Sequence, residues 1–206
     1  MIQAMNTIIN VGRQFGSGGG FVAKAIGQKL GIPVYDNELI SKAAEESGYS
    51  KSVFEGGEQR RSLFSMSSFF SSTRLGFGET SYVNDDMLFK IQSEVIRGIA
   101  RKGDAIIVGR CADYILRDMD CLDVFVCAPM EFRIQRLVVN EGLDPDEAES
   151  LMRRKDRTRE AYYNFYTFGA WGVASNYDLC IDSSILGIDG TADCIIAFCR
   201  RAGKVR

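Results

Sequence analysis

Short apolar runs alternate with longer amphipathic stretches along the chain. The short runs are rich in β-branched residues and apolar on both faces, as expected of strands buried in a parallel sheet. Several longer stretches repeat their apolar residues every three or four positions, as helices do. The strands are predicted at residues 7–11, 32–35, 105–108, 122–127 and 177–181, and the helices at 21–30, 38–47, 86–102, 130–140, 144–166 and 190–201. The pattern predicts an α/β sandwich of three layers, with a parallel sheet between helices, in a single domain of residues 1–206.

Capping signals support several of these helix boundaries. Gly31 and Gly103 each follow an apolar stripe, where glycine suits the left-handed residue that ends a helix. Asp144 precedes Pro145 and lies three residues before Glu147. This arrangement is typical of an N-cap followed by proline at the first helical position.

One segment departs from the alternation. Residues 62–73 are rich in serine and phenylalanine, and residues 76–86 are mixed and loop-like. Residues 48–86 are therefore either a mobile insert or substrate lid, or a plain surface excursion with a few aromatic anchors. The pattern does not decide between these two interpretations.

The composition excludes several kinds of function. The chain has 206 residues and a net charge of −2, whereas a general nucleic-acid-binding protein is normally basic. It has no histidine, which excludes Ser-His-Asp and Cys-His catalysis and histidine-based zinc sites. The six cysteines lack C-x-x-C spacing and mostly lie in apolar runs, so we expect buried, reduced thiols.

The chain also lacks the signals of export and membrane insertion. Its first ten residues have no charged region followed by a long apolar core, and no apolar run approaches the ~18 residues of a membrane span. We therefore expect a cytoplasmic protein with no nucleic acid and no membrane as partner. No pattern indicates an oligomeric state.

A glycine-rich loop follows the first predicted strand. Residues 12–20 read Gly-Arg-Gln-Phe-Gly-Ser-Gly-Gly-Gly, and a helix follows them. Such a loop can turn several backbone N–H groups towards an anion, and the helix N-terminus adds partial positive charge. Phosphate binding is the favoured interpretation and a structural turn is the alternative. The residues predicted to bind the phosphates are Gly16, Ser17, Gly18, Gly19 and Gly20.

This loop differs from the usual phosphate-binding consensus, G-x-x-x-x-G-K-[ST]. With Gly18 as the second glycine, the lysine position is Gly19 and the first glycine position is Arg13. Arg13 or Lys24 could supply the missing positive charge. Ser17 could supply an oxygen ligand for magnesium.

Further candidates follow the other strands. Arg110 and Asp113 come after the strand at 105–108, and ligands bind open α/β sheets at the carboxyl ends of strands. An arginine there can hold a phosphate with two hydrogen bonds, although a solvated surface pair is the alternative. Asp36 follows the second strand and could bind substrate or a metal-bound water, or could cap the next helix.

A dense basic run lies in the helix at 144–166. Residues 153–159 read Arg-Arg-Lys-Asp-Arg-Thr-Arg, and four aromatic residues follow within seven positions. The run is either a solvated helix face or part of a lid at 150–170 that neutralises phosphoryl charge, and the glycine loop favours the lid. The predicted catalytic residues are Arg153, Arg157 and Arg159, with Arg133 and Arg136 as weaker candidates.

Four segments together resemble the cytidylate kinase-like family, the bacterial relatives of cytidylate kinases. They are GSGG at 16–19, GIPVYD at 31–36, VGRCADYIL at 108–116 and YDLCID at 177–182. The ordered set spans nearly the whole chain and is weakest over residues 50–85. The resemblance implies the P-loop NTPase fold of nucleoside-monophosphate kinases, with a core, an acceptor-binding insert and an arginine-bearing lid.

The resemblance also implies an activity, the transfer of the γ-phosphoryl group of Mg²⁺-bound ATP to a nucleoside monophosphate such as CMP. It implies ATP phosphates at residues 16–20, an acceptor near Asp36, Arg110 and Asp113, and lid arginines that approach the transferred phosphate. Authentic cytidylate kinases carry a lysine where this chain has Gly19. The alternative function is therefore a catalytically weak or silent nucleotide-binding regulatory or interaction module.

Overall fold

A five-stranded parallel sheet forms the centre of the computed structural model, which describes residues 6–46 and 80–204. The sheet order is β2-β3-β1-β4-β5, so β1 lies between β3 and β4. Because every pair is parallel, the carboxyl ends of all five strands lie at one edge. The strands are β1 (Ile8–Arg13), β2 (Val34–Tyr35), β3 (Ala105–Val108), β4 (Leu122–Cys127) and β5 (Leu179–Asp182).

Seven α-helices lie within the described residues, and six of them correspond to the six predicted helices. The short helix Ala112–Ile115 was not predicted. Two helices begin well before the predicted residue, at Thr80 and at Ser183, and the second of these has a kink at Gly187. The helices are α1 (Gly19–Leu30), α2 (Asn37–Glu46), α3 (Thr80–Lys102), α4 (Ala112–Ile115), α5 (Met130–Glu141), α6 (Pro145–Thr167) and α7 (Ser183–Arg201). None of them is long and apolar enough to cross a bilayer.

Alternate residues of the strands enter two separate cores, one on each face of the sheet. Ile9 of β1 packs with Ile26 of α1 and Ile195 of α7. On the other face Ile107 of β3 packs with Ile96 of α3. The predicted three-layer α/β architecture is confirmed, and its strands are short and apolar because both faces are covered.

The predicted insert and the cysteines remain to be compared with the structure. Residues 47–79, most of the predicted insert, lie outside the described part of the chain, so that interpretation stays a prediction. All six thiols are free, and the expectation of burial is confirmed for Cys111, Cys121 and Cys199. It is wrong for Cys180 and Cys194, which are exposed. Cys180 lies on the edge strand β5, where covering is incomplete.

Two helical glycines make a matched test of the packing of α1 on the sheet. A Cβ at Gly27 would overlap the Val34 side chain and lie 2.8 Å from the Ile32 carbonyl oxygen, whereas a Cβ at Gly98 meets nothing within 4 Å. Gly27→Ala should lower the free energy of unfolding by about 1–3 kcal/mol through overpacking. Gly98→Ala should raise it by about 0.5–1 kcal/mol through helix propensity. Urea denaturation measures both, and similar changes in the two variants would contradict this packing.

Candidate active site

The glycine-rich loop connects β1 to α1. Gly16 and Gly18 have left-handed backbone, with φ of 77° and 81°. Gly18 is the N-cap of α1 and, being glycine, offers no side chain to the amides of the first turn. The Gly19 amide makes a long contact with the Ser17 hydroxyl, and the amides that follow it lie at the positive end of the helix. These features fit the phosphates of a nucleotide.

Ser17 holds the shape of this loop from inside. It is fully buried, and its hydroxyl donates to the Gln14 carbonyl oxygen at 2.9 Å and accepts from the Gly19 amide at 3.4 Å. The Ser183 hydroxyl donates in turn to the Ser17 carbonyl oxygen. The Ser17 hydroxyl would have to leave the Gln14 carbonyl to ligate a metal. Its predicted role toward magnesium stays a prediction.

The described residues offer no dedicated metal centre. In the ranges 6–46 and 80–204, no group of three Asp, Glu, Cys or His residues could hold an ion. Magnesium in kinases commonly keeps several waters and is held by substrate phosphates with one or two carboxylates. A magnesium ion at this loop would therefore depend mainly on phosphate oxygens and water.

A cleft of about 220 Å³ opens beside the loop, at the carboxyl ends of β1 and β3 and against α6. Helix α6 contributes residues at helical spacings of three and four, so one of its faces forms a wall. The cleft is therefore both strongly cationic and strongly aromatic. Its polar and aromatic lining includes Asn10, Arg13, Asn37, Arg110, Asp113, Lys155, Thr158, Arg159, Tyr162, Tyr163, Trp171 and Tyr177.

The predicted lid arginines separate on this helix. Arg159 lines the cleft, whereas Arg153 and Arg157 are exposed on other sides of α6. Arg153 pairs with Glu149, four residues earlier, at 2.7 Å. Lys24 is likewise exposed, on α1, and does not line the cleft. The structure thus brings one of the three arginines to the cleft, together with Lys155.

Arg13, Arg110 and Arg159 crowd one another in the cleft. Burial, together with the smaller effects of the Arg159 and Arg110 charges, lowers the pKa of Arg13 to about 9. Burial also lowers the pKa of Arg110 and of Arg159. In the described part of the chain, no carboxylate forms a salt bridge with Arg13 or Arg159. The cleft therefore favours a ligand that carries negative charge.

Asp36 serves as the cap of α2. Its carboxylate accepts from the amides of Glu38 and Leu39, both at 3.1 Å. It does not line the cleft, but its charge raises the pKa of Arg13 against the effect of burial. The structure thus supports the capping alternative, and direct contact with an acceptor stays a prediction.

A strained turn presents Arg110 to the cleft. Gly109, Arg110 and Cys111 are three consecutive left-handed residues, with φ of 76°, 61° and 54°. The Arg13 guanidinium lies against Gly109, where a side chain would otherwise be. The Arg110 guanidinium lies 6.0 Å from the centre of the Tyr162 ring. Positive φ in non-glycine residues costs free energy and is typical of functional sites.

Asp113 joins the wall of the cleft to α6. Its carboxylate accepts from the Tyr163 hydroxyl at 2.7 Å. Burial raises the pKa of Asp113, and burial together with the Asp113 charge raises the pKa of Tyr163. Below them, the Asn10 amide donates to Asp123 at 2.8 Å, and burial raises the pKa of Asp123 to about 6.

Helix α6 is docked on the glycine loop by a buried ion pair. Asp156 accepts from the Phe15 amide at 2.7 Å and from the Arg133 guanidinium at 2.5 Å. Arg133 also donates to the Phe15 carbonyl oxygen at 3.2 Å. Arg159 adds a hydrogen bond to the Arg13 carbonyl oxygen at 3.1 Å. These contacts fix the basic helix beside the loop.

The chain is similar in sequence to a known protein family. Residues 8–185 match the model of the Cytidylate kinase-like family. The chain belongs to this family. A member of the cytidylate kinase-like family is expected to have the P-loop kinase fold, and the parallel sheet with its loop between β1 and α1 is that fold.

Two curated relatives are archaeal proteins named cytidylate kinase. The one from Methanopyrus kandleri is 24% identical over 199 residues, which cover 91% of this chain and 90% of the relative. The one from Pyrococcus horikoshii is 26% identical over 179 residues, which cover 86% of this chain and 80% of the relative. These relatives support a nucleotide kinase-like function for this cytidylate kinase-like protein.

Solved structures repeat the fold over almost the full length. An uncharacterised protein from Eubacterium ventriosum has a TM-score of 0.70 and 29% identity, covering 93% of this chain and 96% of that one. A shikimate kinase from Acinetobacter baumannii, solved with shikimate, has a TM-score of 0.51 and 13% identity, covering 97% and 95%. The second likeness shows the fold alone.

Several site residues of this family member were missed by sequence reasoning. Tyr162 and Tyr163 belong to a visible aromatic run, and their spacing from Arg159 is the signal that could have found them. Arg136, a weaker candidate, lies with its guanidinium against Gly18. Trp171 and Tyr177 line the cleft because Phe125 of β4 packs against both rings, and no local pattern indicates that contact.

Asp123 gives a pH-dependent prediction. Its folded pKa of about 6 lies above the ordinary aspartate pKa of 3.8, so between these pH values the folded chain keeps a proton that the unfolded chain releases. Its contribution to stability is therefore full below about pH 4 and is lost as pH rises through 6. Asp123→Asn keeps an acceptor for Asn10 and should raise the free energy of unfolding at pH 7 by about 1–2 kcal/mol, with little change at pH 4.

Denaturant unfolding at both pH values measures this difference. Asp118→Asn is the matched control because Asp118 is exposed, and it should change stability little at either pH. A loss of stability in Asp123→Asn at pH 7 would contradict the account.

Proposed function

We propose that this protein is a phosphotransferase that moves the γ-phosphoryl group of ATP to an anionic acceptor, with a nucleoside monophosphate such as CMP as the leading candidate. The observation that carries the proposal is the cleft beside the glycine loop, where Arg13, Arg110 and Arg159 converge. Guanidinium groups suit phosphate because they offer paired hydrogen bonds in a plane. Family membership supports the same reaction class.

The donor side of the reaction uses the loop. The amides at the start of α1, with the left-handed Gly16 and Gly18, would hold the β- and γ-phosphates. Arg159 is tied to the Arg13 carbonyl oxygen and would bring positive charge to the same point. Magnesium, carried on the nucleotide, supplies charge neutralisation when bound.

The acceptor side uses the outer cleft. Arg110 and Lys155 would bind the phosphate of the acceptor, and Tyr162 and Trp171 offer flat surfaces for a nucleobase. Asp113 and Asn37 add hydrogen-bond acceptors for sugar hydroxyls or base amino groups. A pyrimidine nucleotide would fit this combination of charge and aromatic surface.

Transfer to a phosphate acceptor does not require a histidine. An oxygen of the acceptor phosphate forms a bond to the γ-phosphorus, the bond from that phosphorus to the β–γ bridging oxygen breaks, and ADP leaves. A phosphate monoester has a second pKa near 6, so its attacking oxygen carries no proton at neutral pH and needs no general base. Positioning and charge stabilisation then suffice.

A hydroxyl acceptor would require a base, and Asp113 is the carboxylate among the described residues that line the cleft. This difference gives a test of the acceptor class. With [γ-³²P]ATP and a panel of nucleoside monophosphates, we expect labelled nucleoside diphosphate. Arg110→Gln should lower kcat/KM by about 10²-fold because a phosphate contact is lost. Asp113→Asn should cost about 10-fold or less, since no base is required.

The exposed Arg101 provides the control, and Arg101→Gln should keep the wild-type rate. A loss of about 10³-fold or more in Asp113→Asn would instead indicate a hydroxyl acceptor. No transfer to any acceptor would contradict the proposed activity.

A silent nucleotide-binding module is the second candidate function, and Gly19 at the lysine position favours it. The two candidates differ in one comparison. Ligand binding raises the melting temperature whether or not chemistry follows. Stabilisation by ATP with no transfer to any acceptor would support the silent module.

A further inference from the structure

Compared with the phosphate-binding consensus, the glycine loop has its basic residue and one of its glycines in exchanged positions. The consensus has glycine at the first position and lysine at the seventh, whereas this chain has Arg13 and Gly19. A cation is therefore not simply missing from the loop. It stands at the end of β1 instead of the start of α1.

The exchange is enforced by packing. A Cβ at Gly19 would lie 2.5 Å from the Cβ of Arg13, 3.1 Å from its Cγ and 3.2 Å from the Cβ of Val126. Cβ atoms cannot turn away without moving the backbone. On this backbone, a lysine at position 19 would therefore clash with any side chain at position 13, and Arg13 leaves room only for glycine at position 19.

The head of Arg13 is directed from the loop to the cleft. Its guanidinium lies against Gly109 at the end of β3, and a Cβ at Gly109 would overlap it. Arg13 lines the cleft with Arg110 and Arg159, and its own carbonyl oxygen is held by Arg159. Its stem packs on the first residue of α1, so the side chain spans from the donor loop to the acceptor cleft.

We propose that Arg13 takes over the task of the missing lysine, binding the transferred phosphoryl group where the loop meets the cleft. Gly19 and Gly109 are glycines because they leave room for its stem and its head. This inference rests on the proposed function. A planar guanidinium can contact two oxygens at once, so Arg13 is able to bridge the donor and acceptor phosphates.

The charge is tested with Arg13→Gln and Arg13→Lys. We expect Arg13→Gln to lower kcat by about 10²–10³-fold, the loss typical of one charge-stabilising donor. Arg13→Lys should recover part of this rate, since it keeps the charge but not the paired donors. Affinity for an ATP analogue with a methylene group between the β- and γ-phosphates should fall about 10-fold or more in Arg13→Gln.

Arg101→Gln, on the exposed end of α3, is the control and should change neither quantity. Wild-type kcat and analogue affinity in Arg13→Gln would overturn the inference. If no acceptor supports transfer, the proposed activity fails, but the affinity measurement still tests Arg13.

The packing is tested with Gly19→Ala in three backgrounds. Arg13→Ala keeps the Cβ that blocks position 19, and Arg13→Gly removes it. We expect Gly19→Ala to lower the melting temperature by several degrees in the wild type and in Arg13→Ala, and by much less in Arg13→Gly. Equal losses in all three backgrounds would overturn the coupling of the two positions.

The double variant Arg13→Gly/Gly19→Lys restores the consensus arrangement. Its affinity for the ATP analogue should exceed that of Arg13→Gly by about 10-fold, because the cation returns to the helix start. An affinity no higher than that of Arg13→Gly, in a variant that melts cooperatively, would count against the exchange. The Gln and Ala variants decide the question if the double variant does not fold.

Discussion

Repulsion of the Arg13 guanidinium by those of Arg110 and Arg159, all three half-buried, is the constraint on which the functional account depends. Arg13, Arg110 and Arg159 come from a strand end, a strained turn and a long helix, and they share one cleft. Burial lowers the pKa of each of them. Such an arrangement does not stabilise the fold, because like charges that are removed from water oppose folding. Their convergence is explained by a ligand whose negative charge offsets both costs.

The ion pair between Asp156 and Arg133 makes this convergence possible. Asp156 is the acidic residue within the basic run, and it ties the middle of α6 to the Phe15 amide. Arg159, one turn later, then reaches the loop and the cleft. The same ion pair therefore sets the position of the loop, the position of the helix and the entrance between them. Arg133 is 7% exposed, so its charge needs this partner.

The sequence predicted the sheet, the helices and the glycine loop well because these depend on local patterns. Strands such as β3 are continuous apolar runs, and α6 begins at a proline behind a capping aspartate. The basic run was predicted as a lid, but helical periodicity does not tell which face of the helix points to the cleft. Arg153 and Arg157 share one face, and Lys155 and Arg159 share another. The contact of Asp156 with the loop turns the second pair to the cleft.

Contacts between distant residues account for what was missed. The turn at Gly109 has three left-handed residues, and glycine is the only local signal among them. The contact of Arg13 with Gly19 links the two ends of the loop, and a sequence shows only a missing lysine there. Asn10 and Asp123 are 113 positions apart, so their hydrogen bond has no local signature.

A crystal structure with an unreactive ATP analogue tests the central claim most directly. The account predicts the terminal phosphates on the amides at the start of α1, with the Arg13 guanidinium within hydrogen-bond distance of a γ-phosphate oxygen. Phosphates bound elsewhere, or an Arg13 side chain turned away from a phosphate in the loop, would contradict it.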